Sequence, residues 1–117
     1  MDIIFRNSQL EKTFNNFDRL MKKHGQKRAK LITRILGQLQ AMDNLSLVAK
    51  FPQYRCHELK GDRKGELAID LDHPYRLVFT VAQNPYPTKQ DGGLDWSQVQ
   101  TIQIERVEDY HGKRKKK

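Results

Sequence analysis

Three short stretches bring together residue types that move protons and hold phosphate: Cys56-His57-Glu58-Leu59-Lys60-Gly61, Pro74-Tyr75-Arg76 and Glu108-Asp109-Tyr110-His111. Cleaving RNA without a metal needs a base for the 2′-OH proton, an acid for the leaving 5′ oxygen and cations for the crowded phosphate. Histidines with Arg or Lys suffice for all three tasks. Taken singly, none of these residues is a specific signal. His57 in a strand is more often structural than catalytic, Arg76 equally suits a surface ion pair, and His111 equally suits a frayed C-terminus. His24, Cys56, His57, His73 and His111 show no metal-ligand spacing, so neither a metal nor a cofactor is expected. Cys56 and His57 make a poor nucleophile pair, because neighbours on one strand point to opposite faces.

Positioning these stretches is the work of the elements around them. Ile3-Ile4-Phe5 reads as a short strand, and Ser8-Gln9-Leu10-Glu11 has the S-x-x-E form of a helix capping box. Leu10, Phe14, Phe17 and Met21 follow at helical spacing and predict one helix face, with Gly25 as its end. Ile32, Ile35, Leu36 and Leu39 predict a second helix whose opposite side carries Lys27, Arg28, Lys30 and Arg34. Leu45 to Lys50 suits one more short turn before Pro52.

From Tyr54 onward the period becomes two. Leu67, Ile69 and Leu71 predict one strand and Leu77, Phe79 and Val81 the next, paired as a hairpin through the turn Asp72-His73-Pro74-Tyr75. Gly61-Asp62-Arg63-Lys64-Gly65 forms the preceding turn. A polar loop from Asn84 to Ser97 leads to a last strand over Thr101 to Val107. The expectation is an α+β fold: two N-terminal helices packed on an antiparallel meander, with one sheet face left open.

A chain of 117 residues, 37% hydrophobic and 31% charged, suits one domain that buries roughly two thirds of the surface its unfolded chain exposes. The domain is expected over 1–112, followed by the basic tail Lys113-Arg114-Lys115-Lys116-Lys117, read as a solvated end. The start Met1-Asp2-Ile3-Ile4-Phe5 lacks the marks of a signal peptide and no apolar run reaches the length of a membrane span. The lone Cys56 suits a reducing compartment, so a cytoplasmic location with no membrane contact is expected. A net charge of +8 favours polyanions, whether nucleic acid, an acidic protein or an anionic membrane.

Read in order, Arg55-Cys56-His57-Glu58-Leu59-Lys60-Gly61-Asp62-Arg63-Lys64-Gly65, then His73-Pro74-Tyr75-Arg76-Leu77-Val78-Phe79, then Val107-Glu108-Asp109-Tyr110-His111, the chain resembles the HigB-type plasmid-maintenance killer family of the RelE/ParE toxin superfamily. The resemblance runs over the whole domain to Gly112 and is greatest to a subgroup with a Gly-Gly loop before the final strand. It implies a RelE-like fold and a type II toxin that cleaves messenger RNA in the decoding site of the ribosome. It also implies neutralisation by a HigA-type helix-turn-helix antitoxin, through which alone operator DNA is met. Carried over by position, it implies an active site of His57, Lys60, Arg76, Asp109, Tyr110 and His111. His111 would be acid or base, Asp109 would orient it or assist proton transfer and His57 would be the second proton carrier, the two histidine roles being interchangeable. Lys60 and Arg76 would hold the phosphate, and Tyr110 would stack on the nucleotide. Lys27, Arg28, Lys30, Arg34, Arg63 and Lys64 are the expected RNA-binding cations. The chain departs from the family pattern at Glu66-Leu67-Ala68-Ile69, where many relatives carry Tyr-Trp-Ser, and in the long loop before the last strand.

Two rivals follow from the same residues. A gyrase poison of the ParE type shares the scaffold, since one fold carries unrelated targets. A noncatalytic nucleic-acid-binding or antitoxin-sequestering protein would use the basic helix side, whose bland alternative is a solvated face.

Overall fold

Asn7, not Ser8, opens the first helix: its side chain accepts the Leu10 amide at 2.8 Å. The computed structural model describes residues 1–110. Strand β1 (Asp2–Phe5) leads into α1 (Ser8–Phe14), α2 (Phe17–His24) and α3 (Gln26–Ala41). The single helix expected from Leu10 to Met21 is therefore two. Asn15 leaves helical geometry, and Asn16 caps α2 by accepting the Arg19 amide at 3.1 Å. Adjacent asparagines offer the backbone local hydrogen bonds that compete with a continuous ladder. The break turns Phe17 outward, 40% exposed, while Phe14 and Leu20 enter the core. Gly25, at φ +86° and ψ 159°, makes the corner into α3, a conformation that side chains disfavour.

Among the described residues four short 3₁₀ segments and four more strands follow: β2 (His57–Glu58), β3 (Glu66–Asp70), β4 (Tyr75–Val81) and β5 (Thr101–Asp109). Tyr54, expected to begin the strands, instead ends a 3₁₀ turn. The sheet order is β1-β5-β4-β3-β2. It is mixed, not purely antiparallel, because β1 pairs parallel to β5. Hairpin neighbours are forced antiparallel, but the long helical connection after β1 removes that constraint and lets it add as a parallel edge.

Ala29, Ile32, Ile35 and Leu39 of α3 pack with Phe14 and Leu20 onto Leu67, Ile69, Leu77, Phe79, Ile102 and Ile104 of the sheet. Each such large apolar side chain contributes about 1.5–3 kcal/mol on burial. The helices thus occupy one sheet face. Among the described residues no helix is long and apolar enough to cross a membrane. The loop between β4 and β5 holds one antiparallel bridge, Thr88 with Leu94, and reaches the far edge of the sheet, where Trp96 Nε1 donates to Glu58 Oε2 at 2.9 Å.

Candidate functional site

Strand alternation decides what is presented on the sheet face that no described helix covers, called the open face. On β4, Leu77 and Phe79 point to the helices, which leaves Arg76, Val78 and Thr80 outward. On β3 the outward residues are Glu66, Ala68 and Asp70. Along β5 the phase slips: Val78 faces Arg106 while Phe79 faces Ile104, so Glu105 is an unpaired bulge residue. That extra residue puts Arg106 and Glu108 on the open face, alongside Gln103 and Glu105.

Arg63, Arg76 and Arg106 converge there on Glu66 and Glu108. Glu108 accepts from Arg63 at 2.8 Å, from Arg76 at 2.6 and 2.7 Å and from Arg106 at 3.1 Å. Glu66 accepts from Arg63 at 2.8 Å and from both terminal nitrogens of Arg106 at 3.0 and 2.8 Å. Three guanidiniums meet two carboxylates, leaving one net positive charge. Burial alone would raise the Glu108 carboxyl, but hydrogen bonds from Arg63, Arg76 and Arg106 hold it down at about 2. Glu66 is likewise lowered, chiefly by its hydrogen bonds from Arg106, against an opposing effect of burial. Both carboxylates stay charged near neutral pH.

Around this cluster the expected site residues divide. Tyr110 lies by Arg76, whose guanidinium carbon stands 4.8 Å from the ring centroid, and the Tyr110 amide donates to Pro74 O at 3.2 Å. His57 stands on edge strand β2 opposite Ala68, two strands from Val78 on the open face. At the usual strand spacing that is about 10 Å. Its Nδ1 lies 2.6 Å from the Arg55 carbonyl. A carbonyl only accepts, so Nδ1 carries the hydrogen and the neutral ring keeps its lone pair on Nε2. Exposed Lys60 and Lys64 line a shallow cleft with Glu58, Leu59 and Gly61, on the connection that also carries Arg63.

The other described candidates are placed differently. Asp109 stands opposite Tyr75, on the sheet face that packs toward the helices, so alternation separates it from Arg76; Glu108 takes the place beside that arginine. His111 lies outside the described residues, as do 112–117. Lys27, Lys30 and Arg34 are exposed on α3, in the layer across the core from the open sheet face. Arg28 differs from them. It forks onto Asp72 at 2.9 and 3.0 Å and lies 3.5 Å above the Tyr75 ring, a structural tie and not an open cation. Arg63, expected on a turn surface, belongs to the carboxylate network.

No known family model matches the chain, and no curated protein matches it significantly. What the site can do therefore rests on its own chemistry. Its cations offer planar, forked donors suited to phosphate, and its flanks offer an imidazole lone pair and an aromatic ring. Burial, reinforced by Glu58, pushes the Cys56 thiol up to about 12, so it is no nucleophile near neutral pH. Among the described residues no group of three or more His, Cys, Asp or Glu is placed to hold a metal ion. Glu66 and Arg106 were not among the candidate residues, and Glu108 stood among them only within the stretch Glu108-Asp109-Tyr110-His111. The outward period-two positions of β3 and β4 were visible, but the bulge on β5 hid those of Arg106 and Glu108.

Proposed function

We propose that this protein is the toxin of a type II toxin-antitoxin pair, with a RelE-like arrangement of helices on one face of its sheet, and that it cleaves messenger RNA on the ribosome without a metal. The observation that carries the reading is the arginine cluster on the open sheet face, with Tyr110 beside Arg76 and His57 on the same face. The ordered likeness to HigB-type toxins supplies the substrate, the cytoplasmic setting and the HigA-type antitoxin.

In this reading His57 Nε2 or His111 takes the 2′-OH proton, and the 2′ oxygen attacks phosphorus. The 5′ oxygen leaves with a proton from the other histidine, giving a 2′,3′-cyclic phosphate and a 5′-hydroxyl end. Arg76 and Lys60 stabilise charge on the phosphoryl oxygens, and Tyr110 stacks on a base. Glu108 holds Arg76 toward the phosphate.

Primer extension on messenger RNA in a purified translation system tests this. Wild type is expected to cut at ribosome-bound codons, and folded Arg76→Ala and His111→Ala proteins to cut about 100-fold less or worse. Intact messenger RNA with wild type overturns the reading, and inhibition of DNA supercoiling in its place points to a gyrase poison. A second reading, a noncatalytic nucleic-acid binder, is favoured by one observation: all three guanidiniums are already paired with carboxylates, the pattern of a structural ion-pair network. Ribosome binding without any cleavage would establish it.

A further inference from the structure

Arg106 has the most exposed side chain of the three clustered arginines, 37% accessible against 18% for Arg63 and 12% for Arg76. Yet every nitrogen of its guanidinium is engaged. Nε donates to Glu108 at 3.1 Å, and the two terminal nitrogens donate to the two oxygens of Glu66 at 3.0 and 2.8 Å. That two-pronged edge is the one a phosphate would take. Glu66 occupies it by reaching across β4: its own cross-strand partner is Thr80, whereas Arg106 stands opposite Val78. The two holds on Arg106 are separable. Without the Glu66 carboxylate the fork opens, while the bond from Nε to Glu108 keeps the side chain aimed.

We propose that Arg106 is a binding residue for a backbone phosphate of single-stranded RNA, held closed by Glu66, so that Glu66 sets how weakly the free protein binds RNA. The proposal rests on the reading of the protein as an RNA-cutting toxin. A phosphate entering from solution must displace a carboxylate tethered within hydrogen-bond reach, which keeps affinity for loose RNA low. An RNA already positioned by a larger assembly meets the same barrier with its phosphate at high local concentration, and so displaces the carboxylate more readily. Glu66 thereby discriminates between free and presented substrate. Replacing it by glutamine removes the competing charge and raises the net charge of the cluster by one.

The test is fluorescence anisotropy with a labelled 2′-O-methyl oligoribonucleotide, which lacks the attacking hydroxyl, titrated at several salt concentrations. Glu66→Gln is expected to bind roughly tenfold tighter than wild type, with the logarithmic salt dependence steeper by about 0.7, the value for one further phosphate contact on a single strand. Arg106→Gln should cancel the gain when combined with Glu66→Gln. If thermal unfolding shows Glu66→Gln misfolded, Glu66→Asp, which withdraws the carboxylate by one methylene, should tighten binding in the same direction by less. Equal affinity and salt dependence of wild type and the Glu66 variant, or a gain that survives Arg106→Gln, overturns the proposal and leaves the RNA reading standing. Absence of RNA binding by every variant at the lowest salt overturns the proposal, while the RNA reading stands or falls with cleavage on translating ribosomes.

Discussion

At Glu108, burial and three arginines pull the carboxyl in opposite directions, and the arginines prevail, setting it at about 2 against an ordinary 4.5. A carboxyl lowered on folding contributes stability that is complete above its unfolded value and is lost as pH falls through the folded one. The window therefore runs from 4.5 down to about 2. With the side chain 13% accessible, the contribution is on the order of 2–3 kcal/mol. Urea unfolding of wild type and Glu108→Gln is expected to show that gap at about pH 7 and a markedly smaller one at about pH 3. A gap that stays constant between the two would show that the three arginines do not govern the carboxyl. How little of this was legible in sequence has a local cause. The stretch Glu108-Asp109-Tyr110-His111 was readable as chemistry, but which acid faces Arg76 depends on the phase of β5, and the bulge at Glu105 changes that phase by one residue. The resemblance pairs Asp109 with His111; the register puts Glu108 beside Arg76. The outward position of Arg76 was legible from the period of Leu77, Phe79 and Val81 alone.

Between elements, the tie that locks the helical layer to the sheet is Arg28 of α3. Its fork onto Asp72 lies at the turn joining β3 to β4, its guanidinium stacks on Tyr75, and one nitrogen also donates to the His24 carbonyl at 3.2 Å. Asp72 is lowered chiefly by its hydrogen bond from Arg28, whereas burial, then Lys23 and Arg28, lower His24. With side chains only 17% and 20% accessible, this pair is screened less than a surface ion pair. A double-mutant cycle with Arg28→Ala and Asp72→Ala is expected to give a coupling of about 1–2 kcal/mol in urea unfolding, and Arg28→Lys should lose most of it, because lysine has neither the fork nor the stacking plane. Full retention of stability by Arg28→Lys would reduce the tie to simple charge. The apolar periods announced α3, β3, β4 and β5, since each buries one face against the same core. They did not announce the division of the first helix at Asn15-Asn16 or the parallel pairing of β1. Those outcomes depend on side-chain hydrogen bonds and on a distant strand, neither of which leaves a period in the sequence.

Over the whole molecule, the described residues present two basic surfaces that the core keeps apart. One is the exposed side of α3 with Lys27, Lys30 and Arg34; the other is the open sheet face and the adjoining connection with Lys60, Lys64 and the arginine cluster. Both contribute to the long-range field that draws in a polyanion, but in the proposed RNA-cleaving reading only one lies against a single RNA strand at the moment of cleavage. If chemistry belongs to the sheet, the helix surface acts through the field alone, an effect that salt screens over about 8–10 Å. The combined substitution Lys27→Gln/Lys30→Gln/Arg34→Gln is then expected to leave cleavage on translating ribosomes within about threefold at physiological salt, whereas Lys60→Gln/Lys64→Gln lowers it by at least about tenfold. Charge removed from the helix side exceeds that removed from the sheet side in this comparison, so net charge alone predicts the opposite order. Rates measured by primer extension decide between them: a larger loss from the helix substitutions would move the RNA contact to α3 and leave the arginine cluster a structural network.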